Sequence, residues 1–150
     1  MDDFSAQPGA TNAFGLVGGD ANSIAPGKRP LSSMTPTILL KDGDPALIIG
    51  SPGGPRIITT VLQVVMNLID HGLDIQSAVD APRFHHQWHP DYLFVEHEFP
   101  LETIKNLKSR GHNVYRQYHW SSAQGIWVDP ETGWYYGGSD SRSNGKAAGY

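Results

Sequence analysis

The sequence contains no cysteine. Disulfides and thiolate metal sites are therefore excluded, while oxidising and reducing compartments both stay open. It also lacks any apolar run of the roughly 18 residues that a membrane-spanning helix requires. The opening residues, Met1-Asp2-Asp3-Phe4-Ser5, are acidic where a secretory signal would be basic and then apolar, so an export signal is expected only upstream of residue 1. Basic clusters are missing too. The 11 Lys and Arg are scattered, against 15 Asp and Glu, for a formal charge of −4, which argues against nucleic acid as a partner. Regular periodicity is scarce at the start: residues 1–34 hold five glycines and three prolines with neither a helical nor a strand repeat.

What is present suits one loop-rich globular domain. A chain of 150 residues can bury a real core, and its 17 Gly and 11 Pro follow no repeat. Ordered loops longer than about 12–15 residues are often functional, so residues 1–34 are read as lining a site, a frayed tail being the plainer alternative. Residues 37–40 and 46–49 are expected to form a hairpin of strands buried on both faces. A helix follows over 56–70, with its apolar stripe at 57, 58, 61, 62, 65, 68 and 69, broadened by Val64 and Met66, and Gly72 as its stop. A short helix over 75–80 is capped by Asp74. Strands are expected at 84–88, 92–96, 113–118, 124–128 and 133–136, and a helix over 100–110 turns Leu101, Ile104 and Leu107 inward. Residues 35–150 thus read as strands with helices packed outside them, a layered sandwich of α/β or α+β class.

The chemistry is expected at Gly50-Ser51-Pro52-Gly53-Gly54-Pro55-Arg56, where a buried strand turns into a helix. Free peptide N–H groups at such a turn, with the helix dipole behind them, can hold a carboxylate, a phosphate or the oxyanion of acyl transfer; the glycines also suit a sharp turn and nothing more. The segment lacks the residues of a phosphate-binding P-loop. Ser32 and Ser33 could bond a substrate carboxylate or simply their own backbone. Asp2 and Asp3 are either a solvated terminus or a holder for a substrate ammonium. His85, His86 and His89 with Asp91 resemble a metal set, yet adjacent strand residues point to opposite faces, so no metal is expected. No catalytic triad can be assembled from spacing, and Ser51 lies in no nucleophile elbow.

Taken together, Met1-Asp2-Asp3-Phe4-Ser5, Gly18-Gly19-Asp20-Ala21-Asn22, Lys28-Arg29-Pro30-Leu31-Ser32-Ser33-Met34, Gly50-Ser51-Pro52-Gly53-Gly54, Ala81-Pro82-Arg83-Phe84-His85-His86-Gln87-Trp88 and Ala148-Gly149-Tyr150 resemble the small subunit of bacterial γ-glutamyltranspeptidases, in order along the whole chain. The resemblance implies an α+β fold, the αββα sandwich of the N-terminal nucleophile hydrolases, here incomplete. It implies γ-glutamyl transfer from glutathione or a related amide to water, amino acids or peptides, with no cofactor. The partners implied are the γ-glutamyl donor, the acceptor and a large subunit cut from the same precursor, in the periplasm or outside the cell.

Residue by residue, Asp3 resembles the carboxylate that grips the substrate ammonium, Ser32 and Ser33 the hydroxyls on its α-carboxylate, and Gly53 and Gly54 the oxyanion hole. Residues 8–19 resemble a lid, with Phe14 where some members have a lid tyrosine. Ser141 stands where the family usually has proline. The family's nucleophilic Thr is expected upstream of Met1 and its further substrate-binding Arg in the large subunit, so this chain alone is expected to be inactive, poorly stable and prone to aggregate. Two other readings remain: a β-lactam or glutaryl amide acylase of the same superfamily, and a noncatalytic fragment that binds glutamate-like ligands.

Overall fold

Several boundaries of the fold follow from local signals. In the computed structural model, which describes residues 3–150, strands β1 (Thr37–Lys41) and β2 (Asp44–Gly50) pair antiparallel across a two-residue turn. Asp42 (φ 55°) and Gly43 (φ 98°) both take positive φ, the conformation that matches such a turn to the twist of its strands. Helix α1 (Arg56–Ile69) starts at Pro55, whose φ of −64° is already helical, and stops before Gly72 at φ +66°. Asp74 caps α2 (Ile75–Asp80) by accepting from the Ser77 N–H at 2.9 Å. The remaining elements are β3 (Phe84–His85), β4 (Leu93–Glu96), α3 (Leu101–Ser109), β5 (Val114–Gln117), β6 (Gln124–Val128) and β7 (Tyr135–Ser139).

These strands form two sheets. The larger has the order β1-β2-β6-β7 and is antiparallel throughout; the smaller is β3-β4-β5, with β4 and β5 parallel and joined through α3. Strand alternation sends Leu47 and Ile49 to one face of the larger sheet, where they meet Ile57, Val61, Val64 and Leu68 of α1 and Ile75, Ala78 and Val79 of α2. Leu47 and Val64 are wholly buried, each contributing roughly 1.5–3 kcal/mol by leaving water.

The opposite face is bare. Ile38, Ile48 and Ile126 lie side by side in register, and Ile38, Leu40 and Ile126 are exposed. The hairpin is therefore covered on one face within this chain, against the expectation of two buried faces. Helix α1 departs from its expected stripe in the same way. Residues Ile57, Thr60, Val61, Gln63, Val64 and Leu68 are buried, while Ile58, Leu62, Met66 and Ile69 stand exposed, because the helix carries more apolar surface than one sheet face can cover. In α3, Ile104 alone is buried and Leu101 is exposed.

Two strands differ from expectation by three residues at one end, the others by two at most. β3 ends at His85 because Trp88 takes φ +72° and His89 N–H turns back to the Gln87 carbonyl at 2.8 Å. β7 runs on through Gly137 and Gly138, beyond the expected end at 136. Gly138 pairs with Gly125 of β6, and Ile75 of α2 sits on both. A Cβ on either glycine would come within 2.9 Å of the Ile75 side chain, so the glycines admit the helix rather than end the strand.

Candidate active site

Residues 3–34 contain one short 3-10 turn (Asp20–Asn22) and are held by cross-links rather than periodic structure. Ser5 bridges to Ser23 and Thr11 to Val17. Buried Asn22 ties both ends of the segment together: its Nδ2 donates to the Asp3 carbonyl at 2.5 Å, and its Oδ1 accepts from Leu31 N–H at 3.0 Å. The result is a cleft of about 470 Å³ whose lining includes Asp3, Ser5, Asn12, Leu31 and Ser33. Ser32 stands outside that lining, exposed, with its hydroxyl accepting from Met34 N–H at 3.2 Å. Asp2 lies outside the described residues. Asn22 and Ser5, whose buried hydroxyl has no partner, were not singled out from the sequence.

The strand-to-helix turn has the geometry of an anion cradle. Gly53 (φ +135°) and Gly54 (φ +57°) both lie where only glycine is unstrained. Their carbonyls accept from Arg56 and Ile57 N–H at 3.2 and 3.1 Å, which starts the helix. The Gly53 and Gly54 N–H groups donate to no partner among the described residues. The turn is packed from two sides: Phe14 lies against Gly54 and the Ser121 hydroxyl against Gly53, so close that a Cβ on either glycine would clash at 2.8 and 2.1 Å. Ser51 Oγ accepts from Ser122 N–H at 3.3 Å, fastening the same loop to the turn.

A second cleft, of about 410 Å³, opens beside Gly53 and is lined by Phe14, Arg56, Gln87, Phe94 and Trp120 among others. Ala13 lines both clefts, so the turn at residues 13–15 is the partition between them. Arg56 sits with its guanidinium carbon 4.9 Å from the Trp120 ring centre and 5.5 Å from that of Phe94. With the Gln117 amide oriented to satisfy both partners, its oxygen accepts from both terminal nitrogens of Arg56 at 3.0 and 2.9 Å. Burial lowers the Arg56 guanidinium from its ordinary value.

His85 is buried behind this cleft and stacked on Phe94. His85 Nε2 lies 2.9 Å from Gln87 Oε1 and Nδ1 lies 2.8 Å from the Thr59 hydroxyl, which also donates to the Arg56 carbonyl at 3.1 Å, while Gln87 Nε2 donates to the His89 carbonyl. Burial, outweighing the Gln87 bond, holds His85 below its ordinary value, and the charge of Arg56 adds to the shift. His86 points the other way and pairs with Asp91 at 3.0 Å. Among the described residues, ligand atoms able to share an ion converge at Glu96, Glu98 and His119, but both Glu96 oxygens already accept from Arg142, at 2.8 and 2.5 Å.

Glu96 belongs to a buried quartet that spacing did not reveal. Arg83 pairs with Asp140 at 2.6 Å, and Arg142 with Glu96 at 2.5 Å and Asp140 at 3.0 Å. Backbone groups complete it: Glu96 accepts from Arg83 N–H at 2.9 Å and Asp140 from Ala123 N–H at 2.7 Å, while both guanidiniums donate to the Val79 carbonyl. Burial alone would raise the Asp140 carboxyl, but bonds from Arg142 and Arg83 and the charge of Arg83 hold it below its ordinary value. Ser141 contributes an N–H that proline lacks, donated to Asp80 at 3.0 Å. The quartet pins the start of β6, at Ala123, and the segment after β7, at Asp140, to α2 and β4.

The model of the family described as Gamma-glutamyltranspeptidase matches residues 1–150. The chain belongs to the γ-glutamyltranspeptidase family. Among curated relatives, the glutathione hydrolase proenzyme of Escherichia coli (strain K12) is 58% identical over 95% of this chain and 24% of its own length. The chain thus spans about a quarter of that relative. The crystal structure of the Helicobacter pylori gamma-glutamyltranspeptidase T380A mutant superposes with a TM-score of 0.92 at 50% identity, covering 95% of this chain and 78% of that one. A cephalosporin acylase from Bacillus halodurans matches with a TM-score of 0.81 at 35% identity, over 86% of this chain and 24% of its own. As a γ-glutamyltranspeptidase segment, the chain holds part of the αββα sandwich of the N-terminal nucleophile hydrolases. Among the described residues no helix is long and apolar enough to cross a membrane.

Proposed function

We propose that this chain forms the substrate-holding part of a γ-glutamyltransferase that takes a γ-glutamyl group from glutathione or a related amide and passes it to water, an amino acid or a peptide. The observation that carries the reading is the partition at residues 13–15, with Asp3 and Ser33 on one side and Gly53 on the other. A glutamyl group is a zwitterion joined to a reactive carbonyl. Asp3 accepts from its ammonium, Ser33 and Ser32 donate to its carboxylate, and the Gly53 and Gly54 N–H groups receive the oxyanion. Phe14, resting on Gly54, closes over the bound acyl group as a lid.

The nucleophile in this reading is a Thr contributed by the remainder of the precursor. Its hydroxyl adds to the γ-carbonyl; the C–N bond breaks and the amine departs with a proton. An acceptor amine or water then forms the new bond to carbon, and the C–O bond to Thr breaks as its oxygen regains a proton. That Thr precedes this chain in the same small subunit; the large subunit cut from the precursor covers the bare Ile38, Leu40 and Ile126 face, and the assembled enzyme works in the periplasm or outside the cell.

Asp3→Ala in the full-length precursor tests the assignment. Donor KM is expected to rise by roughly tenfold or more, the scale of one charge-assisted hydrogen bond; unchanged kinetics would refute the role. The likeness to a cephalosporin acylase supports a second reading, an amide acylase whose substrate has no α-ammonium. That enzyme would have no use for Asp3.

A further inference from the structure

A third cleft, of about 630 Å³, opens at the end of α1 far from the glycine turn. Strand register builds its floor. Trp127 of β6 is paired with Leu47 of β2 on one side and with Tyr136 of β7 on the other, so both rings share the face that packs against the helices. Gly72 ends α1 there at φ +66° and Asp74 caps α2, and the turn between the helices leaves Tyr136 48% exposed. Tyr135 adds a third ring to the lining. None of the three lies against a cation among the described residues. The charge around these rings has one sign. Asp74 and Asp129 line the cleft, with no Lys, Arg or His beside them. Both carboxyls are held below their ordinary value, Asp74 by the Ser77 hydroxyl and Asp129 by the Thr132 hydroxyl, so both are anions at neutral pH. Helix α1 ends here with no basic residue in its last turn, and the negative end of its dipole adds to the same field.

We propose that this cleft binds a small quaternary ammonium, a cation whose charge is spread over methyl groups. The ring faces attract such a cation. Asp74 and Asp129 balance its charge while keeping their bonds from Ser77 and Thr132, and Leu68, Leu73 and Ile75 take its apolar substituents. A primary ammonium is strongly hydrated and needs an acceptor for each N–H, whereas a methylated one has no N–H to satisfy. The site stands apart from the candidate active site and does not depend on the γ-glutamyl reading.

The test is a ligand-observed NMR titration of the processed enzyme made from the full-length precursor. Its probes are choline and 3,3-dimethylbutan-1-ol, which share a shape and differ in the charged nitrogen. Choline is expected to bind about tenfold or more tightly than the alcohol, the scale of a cation on partly desolvated rings. Asp129→Asn keeps an acceptor for the Glu131 N–H and the Thr132 hydroxyl and should lower that ratio several-fold. Tyr136→Leu keeps apolar bulk, removes a ring face and should lower it as well. Circular dichroism checks the fold of each variant; if one fails to fold, the wild-type ratio and the other variant decide. Equal affinities for choline and the alcohol overturn the proposal, as does no binding of choline at millimolar concentration or an undiminished ratio in the folded variants. Phosphatidylcholine vesicles separate the two sources of this chemistry: co-sedimentation lost in Asp129→Asn assigns a lipid headgroup, and choline binding without co-sedimentation assigns a free ammonium.

Discussion

The ring of Phe14 rests on the backbone of Gly54, so that a Cβ added there would lie 2.8 Å from Phe14 Cδ1. This contact joins the putting-down point of a long loop to the turn whose N–H groups are unpaired. Its consequences are measurable in stability as well as in rate.

Gly54→Ala should destabilise the protein by about 1 kcal/mol or more, from the left-handed backbone and the lost space together. Phe14→Ala in the same chain should recover the steric share and leave the backbone share. Denaturant unfolding of both singles and the double gives the coupling. Strictly additive effects would mean that the ring does not press on the turn.

Arg83→Ala should cost about 3–5 kcal/mol, because it leaves buried Asp140 without its closest counter-charge. Asp140 also fixes the direction of acid sensitivity. Its folded value lies below the ordinary 3.8, so its contribution is full above that value and is lost as pH falls through the lower folded one. Asp140→Asn should flatten this acid limb in pH-dependent unfolding; an unchanged limb would assign it elsewhere.

Much of this architecture was legible in the chain. Asp42-Gly43, Pro55, Gly72 and Asp74 are local signals, and each marks a boundary that the fold respects. Burial was less legible, since periodicity tells that Ile38 and Ile126 share a face but not what covers it. The same limit applies to Ile58 and Leu62 of α1. Gly137 and Gly138 read as a tail because the purpose of Gly138, making room for Ile75, lies 63 residues away in the chain. The candidate site divides likewise. Motif resemblance pointed to Asp3, Ser32, Ser33, Phe14, Gly53 and Gly54, but the Arg83–Asp140 and Glu96–Arg142 pairs join residues far apart in the chain and carry no spacing signature.

His85 sets a second pH dependence. Its folded value is held below the ordinary 6.5 by burial, so stability is full above 6.5 and declines as pH falls from there through the folded value. His85→Gln should lessen the loss of stability between pH 7.5 and 5.5, read by thermal unfolding. An equally steep loss in the variant would remove His85 from the account.

The most direct test of the central claim compares two donors on the processed full-length enzyme: γ-glutamyl-4-nitroanilide and glutaryl-4-nitroanilide, which differ only in the α-ammonium proposed above to bind Asp3. Efficient release of nitroaniline from the first, and a kcat/KM lower by roughly tenfold or more for the second, is the predicted result, because the charge-assisted bond to Asp3 would be lost. Equal cleavage of the two, or preference for the glutaryl compound, would contradict the γ-glutamyl assignment and favour an amide acylase.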